Sequence, residues 1–424
     1  MKLNRNLVAI KNRKTEADES VVSAVQEIIT CVRREGDTAL RRYAEKFDGF
    51  TGADFLVSQE EIDDALINVD PDLFRILRRA AQRITDFHKN QVEKSWSMFK
   101  DDGVIMGQIV RPLERVAIYV PGAGGSAVLT STLLMCAIPA WLAGVKEVML
   151  LTSADADGKI SDAVLAAADI CQVKTIYKIG GAHAIAAAAY GTESIAKADK
   201  IVGPGGIFVA TAKRLVYGAV DIDSIAGPSD VLVIADETAS AKHVAADLLS
   251  QAEHDVLASS ILVTTHEPLI PAVEAEIERQ LTYLKRGEII KKSLSDFGAA
   301  VCVETMEEAF EISNDIAPEH LEILTADPLS HLPKVKNAAS IFLGENTPEP
   351  LGDYMSGTNH VLPTGGTARF YSPLGVYDFT KYSAYSYYPR AALVELADDV
   401  AKFALSEGLD AHANSIEVRF ADGK

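Results

Sequence analysis

The stretch Ser250-Gln251-Ala252-Glu253-His254-Asp255 closes a helix-periodic run from Ala239 to Glu253. Residues three apart share a helix face, so Gln251 and His254 can offer an amide oxygen and an imidazole nitrogen to one point. A borderline divalent ion such as zinc accepts that mixture, and the pair lacks only a carboxylate or a second imidazole to complete a shell. Ala317-Pro318-Glu319-His320-Leu321 sets the two commonest proton carriers near neutral pH side by side. Neighbouring side chains on a regular strand point to opposite faces, so both reach one ligand only where the backbone turns, as Pro318 allows. A solvated surface dipeptide is the plain alternative. Gly352-Asp353-Tyr354 and Ser356-Gly357-Thr358-Asn359-His360 lie in a turn-rich segment of the kind that carries function, although Asp after Gly is also ordinary turn chemistry. Glu407-Gly408-Leu409-Asp410-Ala411-His412 ends the last long helix, with Gly408 as its expected C-cap, and a histidine there ordinarily just favours the helix dipole. His88, His243, His266 and His331 sit among charged or loop residues and receive no role.

Glycine turns form a second constellation. Pro121-Gly122-Ala123-Gly124-Gly125-Ser126-Ala127 follows a strand-like run and precedes a helix, the setting in which backbone amides approach a pyrophosphate. Gly180-Gly181 and Gly203-Pro204-Gly205-Gly206 stand at similar strand-to-helix turns. The ribose-binding acid expected after the next strand is replaced by Leu151-Thr152-Ser153, with Asp155 a marginal substitute. Tight turns and close packing explain any one such motif; three in consecutive units favour a nucleotide at the edge of that sheet.

The elements that must position these groups are read from periodicity. Val21, Val22, Val25, Ile28, Ile29 and Val32 recur at helical spacing, the pattern breaks at Gly36-Asp37, and it resumes through Leu40 and Tyr43. Ser58-Gln59-Glu60-Glu61 reads as a helix cap, and Asp70-Pro71-Asp72 opens a helix expected to reach Glu93, so the first hundred residues read as mainly helical. From Ile109 onward, apolar runs of strand length alternate with Ala-rich helices: Val116 to Val120, Val148 to Leu151, Thr175 to Ile179 and Lys200 to Val202. A second series comprises Val231 to Ile234, Ser260 to Thr264, Ala299 to Val303, Leu321 to Leu324 and Ser340 to Leu343. That alternation predicts α/β architecture with two parallel sheets. No short repeat suggests a solenoid. Phe370 to Tyr388 reads as an aromatic-rich connection, Arg390 to Ser406 as a helix and Ser415 to Phe420 as a short strand-like end.

At 424 residues the chain is long enough for more than one core, and its 48% apolar and 24% charged composition is that of a globular protein. A formal charge of -19 argues against nucleic acid and anionic membranes, both of which need a basic surface. The first residues lack the apolar region of a secretory signal, and Val128 to Val145 is too interrupted for a membrane span, so a cytoplasmic location is expected. Cys31, Cys136, Cys171 and Cys302 are scattered without a CxxC and suit reduced thiols.

Together these pieces resemble the histidinol dehydrogenase family, from Gly36-Asp37-Thr38-Ala39-Leu40 to Ala411-His412-Ala413-Asn414-Ser415. The most specific stretches are Ala226 to Asp236, Asp247 to His254, Ala317 to Leu321 and Gly352 to Thr364. The resemblance implies zinc held by Gln251, His254, Asp353 and His412, the last reaching into the neighbouring subunit's site of a homodimer. It implies Glu319 and His320 as the proton-transfer pair; Ser229, His360 and Glu407, with the zinc ligands and Glu319, as substrate contacts; and Tyr119, His183 and Gly206 at the NAD positions. The implied fold has two incomplete Rossmann-like domains: 17–112 with 229–374, carrying the metal and acid-base motifs, and 113–228 on the nucleotide side. Residues 1–16 form an N-terminal arm and 375–424 a C-terminal dimerisation segment. The implied activity is oxidation of L-histidinol through the aldehyde to L-histidine with two NAD. Departures on the nucleotide side are a Gly122 to Ser126 loop longer than the family's, and His183 and Gly206 in place of a Gln and an Asn; Asp230 also replaces a usual Glu. Another small amino alcohol or polyol as substrate, or a non-catalytic metal- or nucleotide-binding homologue, stay open on those departures.

Overall fold

In a computed structural model, residues 2–11, 13, 18–52, 54–122, 129–225 and 227–420 are described. The Gly122 to Ala127 turn therefore lies largely outside the described residues. The chain divides into two compact units, one comprising Met1–Gln91 and Leu113–Phe379, the other Val92–Pro112 and Thr380–Lys424.

In chain order the strands are β1 (Trp96–Phe99), β2 (Ile105–Pro112), β3 (Arg115–Tyr119), β4 (Glu147–Leu151), β5 (Thr175–Tyr177), β6 (Lys200–Val202), β7 (Asp221–Ile222) and β8 (Asp230–Ala235). They continue with β9 (Ser259–Thr264), β10 (Gly298–Cys302), β11 (His320–Leu324), β12 (Ser340–Leu343) and β13 (Thr380–Tyr387). The larger unit holds two five-stranded sheets, ordered β5-β4-β3-β6-β7 and β10-β9-β8-β11-β12, with every pair parallel. Each starts in its centre, winds outward one way and then the other, the winding of a Rossmann half. Parallel strands covered by helices on both faces need apolar residues throughout, and β8 and β9 are buried along their whole length.

Four helices, Glu19–Glu35, Asp37–Asp48, Gln59–Asn68 and Pro71–His88, precede the first sheet. Ser58 and Glu61 form the expected capping box, and Asp70 caps a helix with Pro71 in its first turn. That helix stops at His88, short of Glu93, and passes into a 3₁₀ turn, Lys89–Gln91. The buried face Val25, Ile28, Ile29 and Val32 joins one apolar core with β3, β4 and the helix Gly181–Tyr190. The helical segment shares this apolar core with residues 113–222.

On the second sheet, side chains of paired residues share a face. Val231 and Val233 face the cluster formed with Leu248, Val273 and Leu294, whereas Leu232, Ile234, Leu321 and Ile323 face Phe310 on the other side. Because His320 pairs with Val231 and Glu322 with Val233, both polar side chains point toward the layer of the helix Ala241–Ala252. At the sheet's edge the N-terminal segment adds a short pairing: Asn4 N–H donates to Gly298 O at 3.1 Å, and Ala300 N–H to Asn4 O at 2.8 Å.

The smaller unit is an antiparallel sheet, β1-β2-β13, with helices Arg390–Ser406 and Asp410–Glu417. Two expectations are corrected there. The aromatic connection contains the eight-residue strand β13, and the strand-like end is preceded and partly replaced by the helix Asp410–Glu417. β1 likewise breaks the helical reading of the first hundred residues. Among the described residues no helix is long and apolar enough to cross a membrane.

Candidate active site

His320 opens β11, and Asp230 opens the adjacent β8. Ala317 caps the preceding helix in the left-handed region (φ 53°), and with Pro318 it supplies the backbone turn that lets Glu319 and His320 face one place. Both are buried, at 6% and 4% exposure, which excludes the solvated-dipeptide alternative. The Asp230 backbone N–H donates to Glu319 Oε2 at 3.1 Å, the Glu319 N–H donates to Asp230 Oδ1 at 2.8 Å, and His320 Nδ1 lies 3.1 Å from Asp230 O. Since that carbonyl only accepts, Nδ1 carries the hydrogen, and Nε2 is left with a free lone pair.

Burial pushes the Glu319 carboxyl well above the usual carboxylate range, and the Asp230 charge adds to this; hydrogen bonds from Asp230 N–H and the Ser229 hydroxyl act the other way. Burial lowers His320, with the Asp353 charge opposing. A raised carboxyl beside a neutral imidazole is an arrangement suited to proton transfer near neutral pH.

Gln251 lies in the last turn of the helix Ala241–Ala252, while His254 lies just past its end, in a turn closed by His254 N–H to Gln251 O at 3.2 Å. The single helix face expected for the two is thus replaced by a helix end and its following turn. Gln251 is fully buried, and neither of its amide atoms has a hydrogen-bond partner among the described residues. That is costly unless another group fills the role. His254, Glu349 and Asp353 each present a ligand atom within 4.8 Å of the others. Glu349 and Asp353 share one face of the helix Glu349–Tyr354 at i, i+4. Gly352 lets that helix sit close, since an added Cβ would lie 2.6 Å from the Phe342 ring. An imidazole and two carboxylates form a donor set that fits zinc, and the orphaned Gln251 amide, three residues before His254, offers an oxygen of the kind that ion also accepts.

The remaining expected residues fall into three places. His360 joins this site, with Nδ1 3.0 Å from Asp353 O and Nε2 3.1 Å from Thr132 Oγ1, and burial lowers its pKa. Tyr119 and Gly206 lie at the carboxyl ends of the first sheet, where the Tyr119 hydroxyl accepts from Gly181 N–H at 3.2 Å. His183, two residues on, is walled in by Tyr43, Phe47 and Asp48, is only 1% exposed, and has no hydrogen-bond partner at either nitrogen among the described residues. Glu407 and His412 belong to the smaller unit, at the end of the helix Arg390–Ser406 and in the helix Asp410–Glu417.

Four contributors escaped the sequence reading. Glu349 has Oε1 3.8 Å from His320 Nε2 and Oε2 3.3 Å from Ser250 Oγ. Its N–H donates to Glu322 Oε1 at 2.8 Å, and Asp247 stands close enough to Glu322 for its charge to raise that carboxyl. Arg13 pairs with Asp230 at 3.1 Å. The available signals were an acid between two prolines, Pro348-Glu349-Pro350, and acids inside apolar runs at Glu322 and Asp247. Arg13 carried no local signal.

These sheets and this buried acid-base pair define an α/β enzyme. A sequence model of histidinol dehydrogenase matches residues 11–420. The chain is 58% identical to a histidinol dehydrogenase from Lactococcus lactis over 421 residues, covering 99% of this chain and 97% of the relative. It is 52% identical to one from Clostridium acetobutylicum, covering 97% and 95%. A crystal structure of histidinol dehydrogenase from Elizabethkingia anophelis superposes with a TM-score of 0.93 at 39% identity, covering 99% of this chain and 97% of that one. The chain belongs to the histidinol dehydrogenase family.

Glu322 gives a stability test. Burial, with the Asp247 charge next, raises its carboxyl far above the roughly 4.3 of an unfolded Glu. The folded state therefore binds more protons, and stability falls as pH rises from the unfolded value through the folded one. In metal-free protein, the urea midpoint of wild type should drop more between pH 5 and pH 8 than that of Glu322→Gln. Parallel slopes would show that Glu322 does not hold its proton in the fold.

Proposed function

We propose that this enzyme oxidises L-histidinol through L-histidinal to L-histidine, using two NAD and one zinc ion, as a cytoplasmic homodimer. The observation that carries the reading is the contact of the buried Glu319–His320 pair with the His254–Glu349–Asp353 cluster, through His320 Nε2 and Glu349 Oε1 at 3.8 Å, in a chain of this family.

Zinc would be held by Gln251, His254 and Asp353 with His412 of the second subunit, and it would supply a Lewis acid that orients the substrate's nitrogen donors. NAD would supply the hydride acceptor at the carboxyl edge of the first sheet. At that edge Gly203 packs against the Tyr119 backbone, where a Cβ would fall 2.1 Å from Tyr119 O, while a Cβ at Gly206 would meet nothing within 4 Å, so the helix N-terminus there is open to an approaching group. His320, neutral and holding its hydrogen on Nδ1, takes the hydroxyl proton on Nε2 in the first oxidation. In the second, Glu319 takes a proton from the water that adds to the aldehyde. Its second role as a carboxylate is supported by the Asp230 N–H and the Ser229 hydroxyl. Ser229 and His360 line the substrate, and Glu407 joins them from the partner.

The smaller unit supports the dimer. The helix Arg390–Ser406 buries only Ala392 and Ala401, leaving Val394, Leu396, Val400 and Phe403 at 41–69% exposure. An apolar face of that kind marks an interaction surface. The four cysteines are free thiols, in keeping with a reducing compartment.

The direct experiment is steady-state turnover of histidinol with NAD, abolished by a chelator and restored by zinc. Turnover only with another amino alcohol would favour that substrate, and zinc binding without turnover of any alcohol would favour a non-catalytic homologue. Glu319→Gln should retain alcohol-to-aldehyde oxidation and lose acid formation by about 100-fold or more; equal loss of both steps would contradict the division of roles. Dimers mixed from Glu319→Gln and His412→Ala chains should regain about a quarter of wild-type activity, because half of them hold one intact shared site. No recovery would place His412 in its own chain's site, and full activity of the His412→Ala dimer alone would place it outside.

A further inference from the structure

The functional reading assigns nothing to Arg13, and the inference drawn from it rests on that reading. The guanidinium is nearly buried, 5% exposed, and reaches four acceptors on residues more than two hundred positions away. One nitrogen donates to Ser229 O at 3.2 Å and Leu257 O at 2.9 Å; the other donates to Pro228 O at 3.1 Å and Asp230 Oδ2 at 3.1 Å. Every polar group of Asp230 is then committed. Oδ2 takes Arg13, Oδ1 takes the Glu319 N–H, its own N–H holds the Glu319 carboxylate, and its carbonyl takes His320 Nδ1.

We infer that Arg13 is a positioning residue, which acts through Asp230 to fix the Glu319 carboxylate and the Nδ1–H tautomer of His320. Two physical facts carry this. A buried carboxylate without a cation turns or takes up a proton, and either change disturbs groups bonded to the same residue. The planar fork of arginine is also the only side chain that can hold three carbonyls and a carboxylate at once, whereas lysine supplies charge without the fork. Arg13 is not part of the cluster of His254, Glu349 and Asp353; its carbonyl acceptors hold the guanidinium in place, and Asp230 is the side chain that links it to Glu319 and His320.

The test uses full-length Arg13→Gln, Arg13→Lys, Asp230→Asn and the double variant Arg13→Gln/Asp230→Asn. Arg13→Gln should lower kcat for histidine formation by about 10- to 100-fold, with KM for histidinol and zinc affinity by chelator competition within about threefold of wild type. Arg13→Lys should recover part of the loss, and the double variant should be no slower than Asp230→Asn alone. Imidazole ¹⁵N spectra, with His320 assigned by His320→Gln, should show Nδ1–H in the wild type and a tautomer mixture in Arg13→Gln. An unchanged kcat and tautomer would overturn the inference. So would additive losses in the double variant, or parallel falls in Tm, zinc affinity and kcat with the tautomer retained. The spectra need no turnover, so a wild type inert toward histidinol would defeat the functional reading while this inference was still decided.

Discussion

Burying carboxylates at the start of two adjacent parallel strands is the constraint around which the second sheet is built. Asp230 and Glu319 lie at 3% and 6% exposure, where an unpaired charge is expensive. Each is met by a backbone N–H group of the other's segment, at 3.1 and 2.8 Å, and Arg13 supplies a cation to Asp230. The two-way bond joins β8 to the turn before β11 beyond the last ladder pair, so the geometry of the acid-base pair is inherited from the sheet itself. Rigid elements hold a reactive group more closely than a loop can.

The two sheets share a winding but are used at opposite ends. In a doubly wound sheet, ligands ordinarily sit beyond the carboxyl ends of the strands, and Tyr119, Gly181 and Gly203 follow that rule in the first sheet. In the second sheet the buried pair stands at the amino ends. The reason is geometric: a crossover helix runs antiparallel to its strands, so the helix Ala241–Ala252, leaving β8 at its carboxyl end, delivers Gln251 and His254 back to the amino edge. Strand starts and a helix end meet there, and the imidazoles of His254 and His320 come close to the carboxylates of Glu349 and Asp353 without a long loop.

What could be read from the chain follows from which interactions are local. Every strand of the two parallel sheets except β7 was visible as an apolar run, because strands buried on both faces cannot hide their composition. Ser58 and Glu61 announced their helix, because a capping box is complete within four residues. β13 was not visible: its Thr-Lys-Tyr-Ser-Ala-Tyr-Ser-Tyr pattern has exposed faces, and its partner β2 lies some 270 residues earlier. Ser415 to Phe420 alternates like a strand, yet its first three residues continue the helix Asp410–Glu417 and Val418 N–H donates to Asn414 O at 3.0 Å, so local continuation outweighed the alternation. Glu319, His320, His254 and Asp353 could be named from residue type and motif, whereas Glu349 and Arg13 enter the site only through contacts across the fold.

Glu349 shows why the metal-side cluster and the acid-base pair form one structure. Its carboxyl is raised by burial first and then by the Asp353 charge, so it favours the protonated form, and its backbone is fixed by Glu322. Glu322 is raised in turn by burial and by Asp247. Carboxyls packed this closely cannot all ionise, and sharing protons turns mutual repulsion into hydrogen bonds. The string Asp247–Glu322–Glu349 therefore links the helix Ala241–Ala252, the middle of β11 and the helix Glu349–Tyr354. Asp353 rides on the last of these, and His254 follows the first. A shift in any of the three elements would alter the distances among His254, Glu349 and Asp353 and, through the 3.8 Å approach of Glu349 to His320, the environment of the base as well.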